Sequence, residues 1–254
     1  MINEKEFFTK RRKEQLNPNV WPHLKQTEKW GKYCFVPLDI PKFENQKLVD
    51  WFFDNQKEIY KLKPDVASKN YNITNFSGID VLPTNEPESE HVGIWTLNVQ
   101  QSFLHLFPEV NEQIMDNFPF KSLTRMRFWS STRDIFHHRD HTRFVDSPSS
   151  FRIMLYDENP EQTLSLIPSL PDQENTYDEK FLIPSIPDSN SFVWNNLRVK
   201  HGSSYDPKYR KILLILDGYD LDVGKYNNLL ERSVEKYEQF VMKSDRNLLD
   251  YVNL

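Results

Sequence analysis

The chain has 254 residues and a formal net charge of −5, and aromatic residues make up 14 % of it. This length and this aromatic content suffice for a sizeable hydrophobic core, which excludes a chain that is disordered throughout. The negative net charge disfavours a nucleic-acid-binding surface, and the six glycines form no Gly-rich phosphate-binding motif.

Cys34 is the single cysteine, so an intramolecular disulfide and a cysteine-based zinc site are both excluded. The first residues, Met1 to Lys5, carry charges where a secretory signal needs an apolar run. The longest apolar run, 212–216, is far shorter than the about 20 residues that span a bilayer. These features predict a soluble, cytoplasmic protein that does not enter membranes, and they leave its oligomeric state open.

The first half of the chain predicts elements of mixed type. Mixed charge at 3–15 indicates a helix, and a short strand is expected at 33–38, where prolines end it. Apolar residues at helical spacing predict further helices over 44–60 and 99–117. The polar stretch 62–92 is expected to be a long surface excursion.

Short β-like runs separated by Pro, Asn and Asp begin at about residue 122 and predict an antiparallel sandwich or jelly roll. They lie at 123–129, 150–156, 163–167, 181–184, 191–194 and 210–217. The tail, 224–254, carries an apolar stripe that predicts a helix.

The expected fold class is therefore mainly β with flanking helices (α+β). We expect one domain over 1–254, because no repeat or linker divides the chain. Its parts would be a mixed helical and strand region over 1–120, a β core over 121–220 and a C-terminal helix over 221–254.

Three of the seven histidines lie in the pentad 137–141. On an extended segment residues i and i+2 point to the same side, so His138 and Asp140 can present an imidazole and a carboxylate to one point. Fe(II) takes this pair as two of three facial ligands. A solvated polar turn has the same pattern, so the motif alone does not decide. His137 and His141 would point to the opposite side, and their roles stay open.

His201 follows the apolar strand 191–194 and is the candidate third ligand, although a loop histidine is the alternative. Arg210, nine positions later, begins the most apolar strand of the chain, where a guanidinium needs a partner. A guanidinium binds carboxylates through two parallel hydrogen bonds, which suits a dicarboxylic cosubstrate. An ion pair with Asp206 or Asp217 is the alternative for Arg210. The order His-x-Asp, His, Arg on predicted strands favours the metal site.

Five segments carry a resemblance to a known family. They are Arg125-Met126-Arg127, His138-Arg139-Asp140, Phe151 to Leu155, His201-Gly202-Ser203, and Arg210 to Gly218. Together they resemble the 2-oxoglutarate oxygenases of the aspartyl/asparaginyl β-hydroxylase-like group, and within it the bacterial free-proline hydroxylases. The resemblance implies a double-stranded β-helix (jelly-roll, cupin-like) core. It also implies Fe(II) bound by His138, Asp140 and His201, and 2-oxoglutarate bound by Arg210, with Arg152 near the cosubstrate or the substrate.

The implied activity is an Fe(II)- and 2-oxoglutarate-dependent dioxygenase, which consumes O2 and releases succinate and CO2. Its partner would be a small-molecule or aminoacyl substrate, hydroxylated at an aliphatic C–H bond. The interval from His201 to Arg210 is one residue shorter than in the proline enzymes, and 1–120 and 157–190 find no clear counterpart, which leaves the substrate open. Two other classes remain: a cupin-like metal-dependent hydrolase or isomerase, which would not need Arg210, and an inactive jelly-roll binding module.

Overall fold

The structure, a computed structural model, describes residues 28–60, 79–81, 94–99, 107–131, 135–138, 149–159, 164–168, 180–196, 198–204 and 208–244. Over these residues the chain forms α1 (Gln46–Tyr60), α2 (Pro108–Asn117) and α3 (Val223–Lys236). The strands are β1 (Tyr33–Pro37), β2 (Ile79–Val81), β3 (Ile94–Val99), β4 (Phe120–Ser131), β5 (Ile135–His138), β6 (Ser149–Asp157), β7 (Leu164–Pro168), β8 (Phe181–Leu182), β9 (Ser191–Asn195), β10 (Val199–Ser203), β11 (Lys211–Leu221) and β12 (Met242–Lys243). None of the helices in these ranges is long and apolar enough to cross a membrane.

The strands form two sheets whose pairings are antiparallel. The large sheet has the order β12-β1-β9-β6-β11-β4-β3-β2, and the small sheet has the order β5-β10-β7-β8. From β4 to β11 the chain passes repeatedly from one sheet to the other. With its three helices, the molecule has the α+β character that the strand and helix patterns predict.

β11 is an inner strand of the large sheet and is apolar on both faces. Ile212, Leu214 and Leu216 pack in a core against the helices, whereas Leu213 and Ile215 pack in a second core between the two sheets. Successive side chains of a strand point to opposite faces, so burial on both sides produces a continuous apolar run instead of an alternating one. This explains why the most apolar segment of the sequence lies here.

The helices cover the outer face of the large sheet. Leu48 and Phe52 of α1 and Leu229 of α3 are almost fully buried there. Burial of each such side chain stabilises the fold by about 1.5–3 kcal/mol. The start of α3 is capped by Asp222, whose side chain accepts a hydrogen bond of 2.9 Å from the amide of Lys225 and satisfies one of the unpaired amides of the first turn.

The predicted strands are confirmed to within four residues at each end, as is the helix at 44–60, which begins at Gln46. The predicted helix at 99–117 is confirmed for Pro108–Asn117, while residue 99 belongs to β3. Two further predictions fall mainly outside the described residues. They are the helix at 3–15 and the excursion at 62–92, in which β2 is described.

The predicted C-terminal helix over 224–254 is confirmed as far as Lys236 and is wrong for 237–244. After a 3-10 turn at Glu238–Phe240 the chain forms β12, which pairs with β1 and places Lys243 opposite Tyr33. Pairing with a distant strand therefore overrides the helical spacing of the local apolar residues. Residues 245–254 lie outside the described part of the chain.

Candidate metal and cosubstrate site

Two of the predicted metal ligands lie on neighbouring strands of the small sheet. β5 and β10 pair with His138 directly opposite His201. Directly opposed residues of an antiparallel pair lie on the same face, with Cβ atoms about 4.5–5.5 Å apart. Two imidazole-bearing positions at this spacing, with a carboxylate two positions after one of them, fit the donor set of Fe(II). Asp140 lies outside the described residues, and within those residues no group of three or more His, Cys, Asp or Glu is placed to hold a metal.

His201 is half-buried and rests on an aromatic ring. Its imidazole stacks on Trp194 with the ring centroids 4.8 Å apart and an angle of 29° between the planes. Trp194 is 1 % exposed, and its Nε1 donates a hydrogen bond of 2.7 Å to Oδ1 of Asn196. The guanidinium carbon of Arg152 lies 4.6 Å from the centre of the same ring. Arg152, also 1 % exposed, is therefore one aromatic ring away from His201.

Arg210 lies on the surface, and the structure does not bring it to His201. Its side chain is 57 % exposed, and its Nη2 lies 2.9 Å from Oε1 of Glu158. Its guanidinium also covers the ring of Phe53 in α1 at 4.4 Å, on the helix side of the large sheet. The guanidinium and the backbone amide of Arg210 both donate hydrogen bonds to the Glu158 carboxylate, and these bonds lower the pKa of Glu158 to about 2. Among the described residues its carboxylate partner is thus Glu158. The side chains of Asp206 and Asp217, which the sequence suggested as partners, lie outside the described part of the chain.

Lys211, the next residue, points in the opposite direction and is 6 % exposed. Its Nζ donates hydrogen bonds to Oγ of Ser203 and, at 3.0 Å, to the carbonyl oxygen of Ser204. The ammonium group therefore reaches from the large sheet to β10 of the small sheet. Ser203 and His201 share a face of β10 about 7 Å apart, since a strand rises about 3.3 Å per residue. Sequence reasoning missed Lys211, because both faces of β11 are apolar and no alternation distinguishes residue 210 from 211.

His137 precedes His138 on β5 and contacts β7. Its Nε2 is 2.9 Å from Oγ of Ser165 in β7, with β10 between the two strands. The residue of β10 opposite Ser165 is Gly202, which has no side chain between them. His137 thus joins the two neighbours of β10 and is a matched comparison for His138.

Cys34 is not a candidate nucleophile or metal ligand. It is buried in the core between the sheets, and burial raises its pKa to about 11 despite the opposing charge of Arg198. A thiol with this pKa carries almost no thiolate at neutral pH, and the thiolate is the reactive form.

A cleft of about 680 Å³ opens beside β1, β6 and β9. Its apolar wall includes Phe35, Met154 and Phe192, and its rim includes Lys42. Neither His201 nor Lys211 lines it. Its volume falls in the range of small-molecule pockets.

No protein-family model matches the chain, and no curated protein matches it. Among solved structures, it is similar to EvdMO1, with 18 % identity and a TM-score of 0.42 over 77 % of this chain and 50 % of that chain. It is also similar to a prolyl-4-hydroxylase of Pseudomonas putida, with 9 % identity and a TM-score of 0.37 over 78 % and 100 % of the two chains. A third similar structure is SnoK, a non-haem α-ketoglutarate-dependent carbocyclase from nogalamycin biosynthesis, with 13 % identity and a TM-score of 0.39 over 80 % and 84 %. The match spans about half of EvdMO1. Each of these TM-scores is below 0.5, so the similarities do not assign a function to the chain.

Proposed function

We propose that the chain is an Fe(II)- and 2-oxoglutarate-dependent oxygenase that hydroxylates an aliphatic C–H bond of an amino acid or aminoacyl side chain. In this reaction O2 and 2-oxoglutarate are consumed, and succinate and CO2 are released. The observation that carries the proposal is the pairing of His138 with His201 across β5 and β10. The buried cation Lys211, bonded two residues beyond His201 on β10, supports it.

The proposal includes a double-stranded β-helix core formed by β4 to β11. Within the large sheet these strands stand in the order β9-β6-β11-β4, and in the small sheet in the order β8-β7-β10-β5. At each place in the two sheets the strands are therefore consecutive in the chain: β9 with β8, β6 with β7, β11 with β10 and β4 with β5. This relation is expected when one long antiparallel hairpin is wound into two sheets, as in jelly rolls.

His138, Asp140 and His201 would hold the iron, with two ligands from adjacent strands and one from the segment after β5. Iron bound by two histidines and one carboxylate supplies the activation of O2 and the oxidation of the C–H bond. The chain contributes a fixed donor geometry, because His138 and His201 belong to one hydrogen-bonded strand pair. The surrounding apolar interior, which includes Leu166 opposite His201, excludes water.

For the far carboxylate of 2-oxoglutarate, Lys211 is a better candidate than Arg210. Lys211 is buried and bonded to Ser203, two residues from His201, whereas Arg210 is exposed and bonded to Glu158. The separation of about 7 Å between positions 201 and 203, from a rise of about 3.3 Å per residue, is comparable to the length of a five-carbon dicarboxylate. An ammonium–carboxylate hydrogen bond in such an interior is a strong one. Arg152, buried beside Trp194, remains a candidate for binding the cosubstrate or the substrate.

The proposal is tested by incubating the protein with Fe(II), 2-oxoglutarate, O2 and a panel of free amino acids and short peptides, and measuring succinate. We expect succinate from the wild type, with an increase for one member of the panel, and none from His138→Ala. His137→Ala is the matched control, because this neighbouring ring faces Ser165, and it should retain turnover within a few-fold. The proposal would be contradicted if the wild type did not consume 2-oxoglutarate, or if His138→Ala consumed it as fast as the wild type. A metal-dependent hydrolase would bind the metal and ignore 2-oxoglutarate.

A further inference from the structure

The ring of Trp194 connects His201 to two other buried groups. It contacts the imidazole of His201 at 4.8 Å, the guanidinium of Arg152 at 4.6 Å and, through its Nε1, the side chain of Asn196 at 2.7 Å. Trp194 is the largest of the fully buried side chains in the described part of the chain. Apolar packing alone explains its burial but not the two polar partners and the stacked histidine.

The connection between β9 and β10 holds these groups in place. Asn196, which accepts the hydrogen bond from Trp194, lies within this connection, and the amide of Arg198 donates to the carbonyl oxygen of Asn195 at 2.8 Å. The buried Arg198 side chain is itself anchored, since its Nε donates to the carbonyl oxygen of Gly31 at 2.9 Å. The described residues on the two sides of position 197 are therefore held by hydrogen bonds, Asn196 by Trp194 and Arg198 by Asn195 and Gly31.

Arg152 holds the same ring from the neighbouring strand. β6 and β9 pair with Arg152 opposite Phe192 and Ser150 opposite Trp194, which makes Arg152 and Trp194 diagonal neighbours. Long side chains reach each other across such a diagonal. A desolvated cation is attracted to the face of an indole ring. The orientation of Trp194 is thus set by an adjacent strand as well as by its own connection.

A metal-binding imidazole needs its plane held, because the outer torsion of histidine has a broad energy minimum. Partners beyond the ligands usually supply this orientation. We propose that Trp194 is a positioning residue for His201, whose ring it holds in the plane required for metal binding, with Asn196 and Arg152 holding Trp194 in turn. This inference rests on the proposed function, since it assigns His201 to the metal.

The test is the affinity of the metal-free protein for Co(II), measured by calorimetry on Trp194→Leu and Trp194→Phe. We expect about 10- to 100-fold weaker binding for Trp194→Leu, the usual cost of losing a group that orients a ligand. Trp194→Phe should lose less, because a flat ring remains to stack on the imidazole. Trp30→Leu is the matched control: Trp30 is also buried, and its Nε1 also donates to an asparagine Oδ1 at 2.7 Å, but in the helix-side core. It should bind Co(II) as the wild type does.

Two further measurements keep the inference open to refutation if Trp194→Leu does not fold. Co(II) should quench part of the tryptophan fluorescence, and this part should disappear in Trp194→Phe and persist in Trp30→Phe. Asn196→Ala, which removes the acceptor for Trp194, should weaken Co(II) binding several-fold. Wild-type affinity in the Trp194 and Asn196 variants, or an equal loss in Trp30→Leu, would overturn the positioning role while leaving the metal site intact. A wild type that does not bind Co(II) would instead overturn the proposed function.

Discussion

The two faces of the large sheet meet layers of different chemistry. Toward the helices, β11 contributes Ile212, Leu214 and Leu216 to a hydrophobic core. Toward the small sheet, the same strand and its neighbour β6 contribute the buried cations Lys211 and Arg152. Buried charges are costly and are retained where they have partners or a function. The helix side therefore serves stability, and the layer between the sheets holds in addition the cations to which the proposed function assigns a binding role.

The largest expected effect is a loss of stability when a side chain of the helix-side core is shortened. Leu214 is fully buried there, and Leu214→Ala should lower the free energy of unfolding by about 2–5 kcal/mol through lost burial and a cavity. Chemical denaturation measures this loss. Leu182→Ala, at a 52 % exposed position, is the control and should change stability by less than about 0.5 kcal/mol. The folded fraction of Leu214→Ala should bind metal normally, and a loss of metal affinity there would show that the layers are not separable.

A smaller effect, on the free energy of 2-oxoglutarate binding and not on stability, is expected from a substitution in the layer between the sheets. Lys211→Met keeps the length of the side chain and removes its charge, so it should weaken 2-oxoglutarate binding by about 1.5–3 kcal/mol, or about 10- to 150-fold. Its stability should be near or above that of the wild type, since apolar replacement of a buried ion is often neutral. Calorimetry on Co(II)-loaded protein measures both metal and cosubstrate affinity. Arg210→Met, at the exposed neighbour, should bind 2-oxoglutarate normally; if it is the weaker binder, the assignment reverts to Arg210.

The smallest effect concerns the surface pair of Arg210 and Glu158. Because Arg210 depresses the pKa of Glu158 to about 2, the pair contributes stability above the ordinary pKa of 4.5, and this contribution disappears as the pH falls to about 2. For such an exposed pair it should be below about 1 kcal/mol. Arg210→Met should thus be slightly less stable than the wild type at pH 7 and equal to it near pH 2. A difference that does not change with pH would mean that stacking on Phe53 is the main contribution of Arg210.

The strands with strong local patterns could be predicted from the sequence. β6, β9 and β11 are apolar runs bounded by polar or turn residues, and their positions follow from that pattern alone. β12 could not be predicted, because its two residues become a strand only through pairing with β1, more than 200 positions away in the chain. Local spacing carries no information about such a pairing.

The candidate site shows the same division. His138 and His201 could be chosen from ligand chemistry and spacing, and their pairing is consistent with that choice. The choice between Arg210 and Lys211 could not be made, since it depends on which face of β11 each residue occupies. By residue type a guanidinium is the better group for binding a carboxylate, because it can donate two parallel hydrogen bonds. Arg210, however, lies on the helix side and pairs with Glu158. Which of the two cations reaches β10 depends on its position on β11 and not on its residue type.

The most direct test of the central claim is the visible charge-transfer absorption of Fe(II) with 2-oxoglutarate, recorded without O2. We expect the band in the wild type and in Arg210→Met, its absence in His201→Ala, and a higher 2-oxoglutarate concentration for half-saturation in Lys211→Met. No band in the wild type, or an unchanged band in His201→Ala, would contradict the account.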